Sequence, residues 1–241
     1  MHDDRDGVGE VIADELRDAG PGEVPDRLCA VAARLLPVSG VGVSLSGDGM
    51  PVPLGASGAR IERLMEVQVT LGEGPCVRAA ELGAPVYAVD LTGGRDAGRW
   101  PVFALQAVAV GVRAVYALPL GHRTLCVGTL DLYCDTPDVL TDGDLRTAHA
   151  LADATTAALM TLPRVDEPGL ADDGTLWPSA LAADHGEVYQ AVGMVMVQLC
   201  VDADEALARL RARAFAQGRT MLDLAHELVD RRVGLAGGET E

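Results

Sequence analysis

Apolar residues recur at helical spacing between Pro25 and Leu36. Leu28, Val31, Ala32, Leu35 and Leu36 fall on one face, and Pro37 ends the pattern. The period then changes to two. Val41, Val43 and Leu45 alternate with Gly42, Ser44 and Ser46, which predicts a strand with one buried face, closed by turn residues Gly47 to Gly49 and followed by a short partner over Pro51 to Leu54. Helical spacing returns from Ala59 to Val69 and from Pro75 to Leu82, stopping before Gly83, and Val86 to Val89 reads as a brief strand. Asp90 to Arg99 is rich in glycine and charge and reads as a loop; Pro101 then opens a helix at the position where its missing N–H does least harm. Two apolar runs, Arg113 to Leu120 and Leu125 to Tyr133, flank Gly121-His122-Arg123 and make the clearest hairpin of the chain.

Thr141 and Asp144 stand at the spacing of a reciprocal cap, so a long helix is expected from Asp144 to Leu162, where Pro163 breaks it. Its Leu145, Ala148, Ala152, Thr155, Leu159 and Leu162 form a 3,4 seam, which either packs on the sheet of its own domain or pairs with a second copy. Proline, glycine and acidic residues between Arg164 and Gly174, then Trp177-Pro178, mark a linker. Three further helices follow over Asp184 to Leu199, Asp202 to Gln217 and Thr220 to Arg232, with Asp202 and Thr220 as caps and Gly218 as a left-handed stop. In the first, Val188, Ala191, Val192, Val195, Met196 and Leu199 form an apolar stripe, and Gly193 within it suggests close approach of another helix or of a ligand backbone. Leu207, Leu210 and Ala214, then Leu222, Ala225 and Leu228, supply the facing stripes of a compact three-helix unit.

Composition narrows the class. With 49% apolar residues in 241 the chain has material for a substantial core. Its most apolar stretch, Leu105 to Leu120, is broken by Gln106, Arg113 and Pro119, short of the roughly 20 residues a membrane span needs. Met1 to Gly9 is charged, lacks the anatomy of a secretory signal and reads as a disordered start, so cytoplasmic residence is expected. Five cysteines without a C-x-x-C pair point to reduced thiols. His122 and His149 lack a second ligand at metal spacing, and no metal is expected. All 19 basic residues are arginine, against 36 acids, for a net charge of −17. Such a chain repels polyanions on average, so nucleic-acid binding requires a local arginine surface.

The strings V-Y-Q-A-V-G-M-V-M-V-Q-L from Val188, D-E-A-L-A-R-L-R-A-R-A-F from Asp204 and L-D-L-A-H-E-L-V from Leu222 resemble an ANTAR domain over about 50 residues. That resemblance implies a small helical module that binds RNA stem-loops as a dimer and acts in transcription antitermination. Its RNA surface is expected around Gln190, Ala191, Gly193, Arg209, Arg211, Arg213 and Phe215, although helix packing explains Ala191, Gly193 and Phe215 equally well. Val192 stands where many members of the family carry lysine, and between Asp184 and Leu235 eight acids outnumber six arginines. Arg209 and Arg213 share a helix face, whereas Arg211 points roughly 200° away.

Residues 22–162 are similar to a GAF domain, carried by L-G-E-G-P-C at Leu71 to Cys76, R-W-P at Arg99 to Pro101, A-L-P-L at Ala117 to Leu120 and G-T-L-D-L-Y at Gly128 to Tyr133. The pairing resembles actinobacterial regulators. The expected fold is therefore α+β: a flexible segment over 1–21, a GAF-like antiparallel sheet flanked by helices over 22–162, a linker over 163–183, an ANTAR-like three-helix bundle over 184–235 and a tail over 236–241. A GAF resemblance implies a small-molecule pocket, for which Cys76, Asp90, Arg99, Trp100 and Phe103 are the candidates, or else they shape a loop and anchor it in the core. No cofactor follows. The expected mechanism has the sensory domain act through the helix Asp144 to Leu162 on two RNA-binding bundles in a homodimer. The competing classes are a thiol-dependent GAF-fold enzyme such as a free methionine sulfoxide reductase, drawing on Cys76, Cys126 and Cys134, and a DNA- or protein-binding adaptor.

Overall fold

Alternation and turn chemistry build one antiparallel sheet. The computed structural model describes residues 3–47, 50–122, 125–162 and 183–236. Strands β1 (Gly40–Gly47), β2 (Met50–Ala56), β3 (Val86–Ala88), β4 (Ala114–His122) and β5 (Leu125–Cys134) take the order β2-β1-β5-β4-β3, with every neighbour antiparallel. The expected hairpin is the β4–β5 pair, in register from Ala114 opposite Cys134.

One face of the sheet packs its apolar residues, among them Val41, Val43, Leu118, Leu130 and Leu132, against three helices: α1 (Asp3–Leu16), α2 (Val24–Leu35) and α7 (Asp142–Met160). The opposite face lies under α3 (Ala59–Leu71), α4 (Pro75–Leu82) and α6 (Pro101–Ala109). Helix α3 runs so close to β1 that a Cβ on Gly42 would collide with the Met65 sulfur, which explains glycine in a strand interior.

Two expectations are corrected and one open choice is decided. The start is not structureless: α1 places Val8 and Ile12 in the core, because Val8, Val11 and Ile12 carry a helical spacing that the surrounding charge obscures. The supposed loop over 90–99 contains α5 (Gly94–Arg99). The seam on α7 is occupied within the chain, with Ala148, Ala152, Thr155 and Leu159 buried against α1, α2 and β4. Its cap forms as read, the Thr141 hydroxyl accepting from the Asp144 N–H and the Asp144 carboxylate accepting from the Thr141 N–H.

The expected linker and tail fall almost wholly on 163–182 and 237–241, outside the described residues. Helices α8 (Ala183–Leu199), α9 (Ala203–Ala216) and α10 (Met221–Ala236) pack into the expected bundle. Asp202 accepts from the Glu205 N–H, Thr220 from the Asp223 N–H, and Gly218 is left-handed at φ 65°. The core of this bundle continues into the sheet domain through Met50 and Val69.

Candidate functional site

The sheet face beneath α3 and α4 carries a buried polar group. Ser44 of β1 stands opposite Thr129 of β5, and their hydroxyls bond at 2.8 Å. Two residues along β5, Asp131 is fully buried, with the Cys76 thiol and Thr129 hydroxyl beside it and, among the described residues, no group in hydrogen-bond geometry with either carboxyl oxygen. Gln68 of α3 closes the group: its side-chain carbonyl accepts from the Cys76 N–H at 3.0 Å and its amide donates to the Tyr133 hydroxyl at 3.2 Å. Burial pushes the Asp131 carboxyl from 3.8 up to about 7, opposed by the neighbouring Cys76 thiol and Thr129 hydroxyl, whose dipoles favour the ionised form. Burial also drives the Cys76 thiol well above its ordinary range, and raises Cys134 to about 12. At neutral pH both remain thiols, not the thiolates that nucleophilic chemistry requires.

The five ligand candidates do not converge. Cys76 belongs to this polar group, while Trp100 and Phe103 are core residues. Arg99 is exposed and stacks 4.3 Å over the Trp100 ring, and Asp90 accepts from the Thr92 N–H and hydroxyl within its own loop. Those hydrogen bonds hold the Asp90 carboxyl below its ordinary range. Among the described residues no group of histidine, cysteine and acidic side chains is placed to hold a metal ion.

The seven RNA candidates divide. Ala191 is fully buried in the bundle core and cannot reach a ligand while the helices are packed. Gly193 is open, with nothing among the described residues within 4 Å of where a Cβ would sit, so it does not serve the close approach of another helix. Gln190 and Arg213 are exposed. Arg209 is exposed and pairs with Glu205 one turn away at 2.6 Å. Arg211 faces the opposite way, into the sheet domain: its Nε donates to the Val69 carbonyl at 3.2 Å, at the C-terminal end of α3 where a cation is favoured. Gly72, left-handed at φ 64°, leaves room there, since a Cβ would stand 2.8 Å from the Arg211 guanidinium. A second bond crosses the junction beside it, from the Met221 N–H to the Thr70 hydroxyl at 2.8 Å. Phe215 is 52% exposed at the rim of a cleft between α3, α6 and the α9–α10 turn.

Comparison with known proteins assigns the two units. The GAF domain model matches residues 21–159. The chain belongs to the GAF family. The ANTAR domain model matches residues 180–229, so the C-terminal bundle is an ANTAR domain and the whole is a GAF and ANTAR regulator. Among solved structures, the GAF domain of a phosphoenolpyruvate-protein phosphotransferase from Acinetobacter is similar at TM-score 0.50 and 13% identity, over 64% of this chain and 90% of that one. A free methionine-R-sulfoxide reductase from Neisseria meningitidis, solved with its substrate, gives TM-score 0.47 and 19% identity over 64% and 84%. A search of the curated proteins found no match. An ANTAR domain marks an RNA-binding antitermination regulator and a GAF domain a sensory one. No described helix is long and apolar enough to cross a membrane.

In the GAF domain, sequence reasoning found Cys76 but missed Ser44, Gln68, Thr129, Asp131 and Tyr133. The aspartate inside G-T-L-D-L-Y and the glutamine inside the apolar α3 were the available signals. At the ANTAR junction it missed Val69 and Thr70, which no local pattern distinguishes from core.

Proposed function

We propose that the protein binds RNA stem-loops and promotes antitermination under the control of a signal received on the polar face of its GAF domain. The carrying observation is the placement of three consecutive α3 residues: Gln68 closes the Asp131 group, while Val69 and Thr70 bond to Arg211 and Met221 of the ANTAR domain. A ligand or proton that moves α3 therefore acts directly on the ANTAR bundle. The relay runs through α3 and not through the α7 seam, which the chain's own core occupies. Arg213 and Gln190 remain free to face RNA, Arg209 after exchanging its Glu205 partner, while Arg211 serves the junction.

Gel shift of stem-loop RNA against duplex DNA of equal length tests the reading. Tight binding to the stem-loop is expected, with charge reversal at Arg209 and Arg213 weakening it and flattening its salt dependence. Equal or tighter binding to duplex DNA would overturn it.

A further inference from the structure

We infer that the cleft between the GAF and ANTAR domains is a nucleotide site, in which one unstacked nucleobase lies against Phe215 and Arg63 takes its phosphate. This rests on the RNA-binding reading and adds to it that the sensory domain contributes residues to the nucleic-acid surface.

Size and wall chemistry come first. The cleft measures about 150 Å³, comparable with an engineered apolar cavity that takes up one benzene ring. It therefore suits a single flat ring system and not an extended ligand. Leu64 and Leu71 of α3 and Val110 after α6 line it, and Phe215 of α9 presents an exposed ring at the rim. Exposed aromatic rings beside apolar walls are the surfaces on which unpaired bases stack. Gln106, exposed on α6, offers one donor group and one acceptor to a base edge.

Charge gives the second argument. In a chain of net charge −17, arginines from both domains meet here. Arg63 and Arg219 line the cleft, Arg60 donates to the Val110 carbonyl, and Arg211 lies on Val69 beside it. Asp135 pairs with Arg60 and Glu227 with Arg219, but among the described residues neither Arg63 nor Arg211 has an acid at ion-pair distance. Arg211 is spent on the α3 carbonyl, which leaves Arg63, exposed on the cleft wall, where its charge also reaches Asp223 without an ion pair. The chemistry is that of a base with its phosphate, whether from an RNA loop or from a free nucleotide.

The test uses the full chain and its Arg63→Ala and Phe215→Leu variants, both at exposed positions and checked for an unchanged circular dichroism spectrum. Probes are stem-loop RNAs with one stem and randomised loops, the selected RNA with single abasic loop positions, and the four free nucleoside monophosphates. Phe215→Leu is expected to weaken stem-loop binding about 5- to 100-fold. Arg63→Ala should weaken it several-fold and lower the salt dependence by about one released counterion. One abasic position should reproduce the Phe215→Leu loss, with no further loss when the two are combined. Nucleotide binding lost in both variants, with stem-loop affinity unmoved, keeps the site and assigns it to a free nucleotide. If neither probe responds to either substitution, the site falls. Absence of stem-loop binding by the unaltered chain would instead remove the RNA reading, and the nucleotide titration would still judge the cleft.

Discussion

The two faces of the sheet are made by the same strands and solve opposite problems. Leu130 and Leu132 enter a continuous apolar layer under α2 and α7, whereas their neighbours Thr129 and Asp131 enter a layer of hydroxyl, thiol, carboxamide and carboxyl groups under α3 and α4. All four are fully buried. One face is optimised for stability; the other holds a carboxyl that burial disfavours, as sites under functional selection do.

The sharpest test of this contrast is Leu130→Ala, expected to cost about 2–5 kcal/mol in urea unfolding, because the packed layer cannot close over the lost volume. A loss below about 1 kcal/mol would deny that this face is the structural one. Asp131→Asn should do the opposite at alkaline pH. Unfolded, the carboxyl gives up its proton near 3.8; folded, it keeps it to about 7. The folded state thus binds more protons between those values, and stability should fall as pH rises from about 4 to about 7 and then level, by up to ~4 kcal/mol. Unfolding of the asparagine variant followed across that window should show this slope gone and higher stability at pH 8; an unchanged slope would place the titration elsewhere.

Thr70→Val probes whether the polar side is mechanically joined to the ANTAR domain. Losing the acceptor for the buried Met221 N–H should cost about 1–3 kcal/mol and speed amide exchange at the start of α10. Exchange confined to α3 would break the connection. The smallest effect belongs to Thr129→Val, about 1 kcal/mol from the lost Ser44 bond, with a further rise in the pH midpoint because one group favouring the ionised Asp131 is removed.

Much of this architecture was readable from periodicity and punctuation. The β1 alternation, the β4–β5 hairpin, and the caps at Thr141, Asp202 and Thr220 are local matters, decided by neighbours in sequence. Helix α5 was not, because its glycines and charges carry no apolar period. The site was legible only in fragments. Arg209 and Arg211 separate onto opposite faces by helical geometry alone, but which face meets the GAF domain depends on docking against Val69. Asp131 is visible in its strand, yet its burial depends on a register that brings Ser44 and Thr129 together and on α4 covering both.

Helix α3 concentrates two tasks on one short run, with Gln68 holding Cys76 and Tyr133 of the buried polar group and Val69 and Thr70 facing the neighbouring bundle. A genetic screen for variants blind to the signal and a separate screen for variants with a dead output should therefore return overlapping alleles. Separating the two phenotypes will require changes at the far ends, on β5 or on α9, where each residue answers to only one of them.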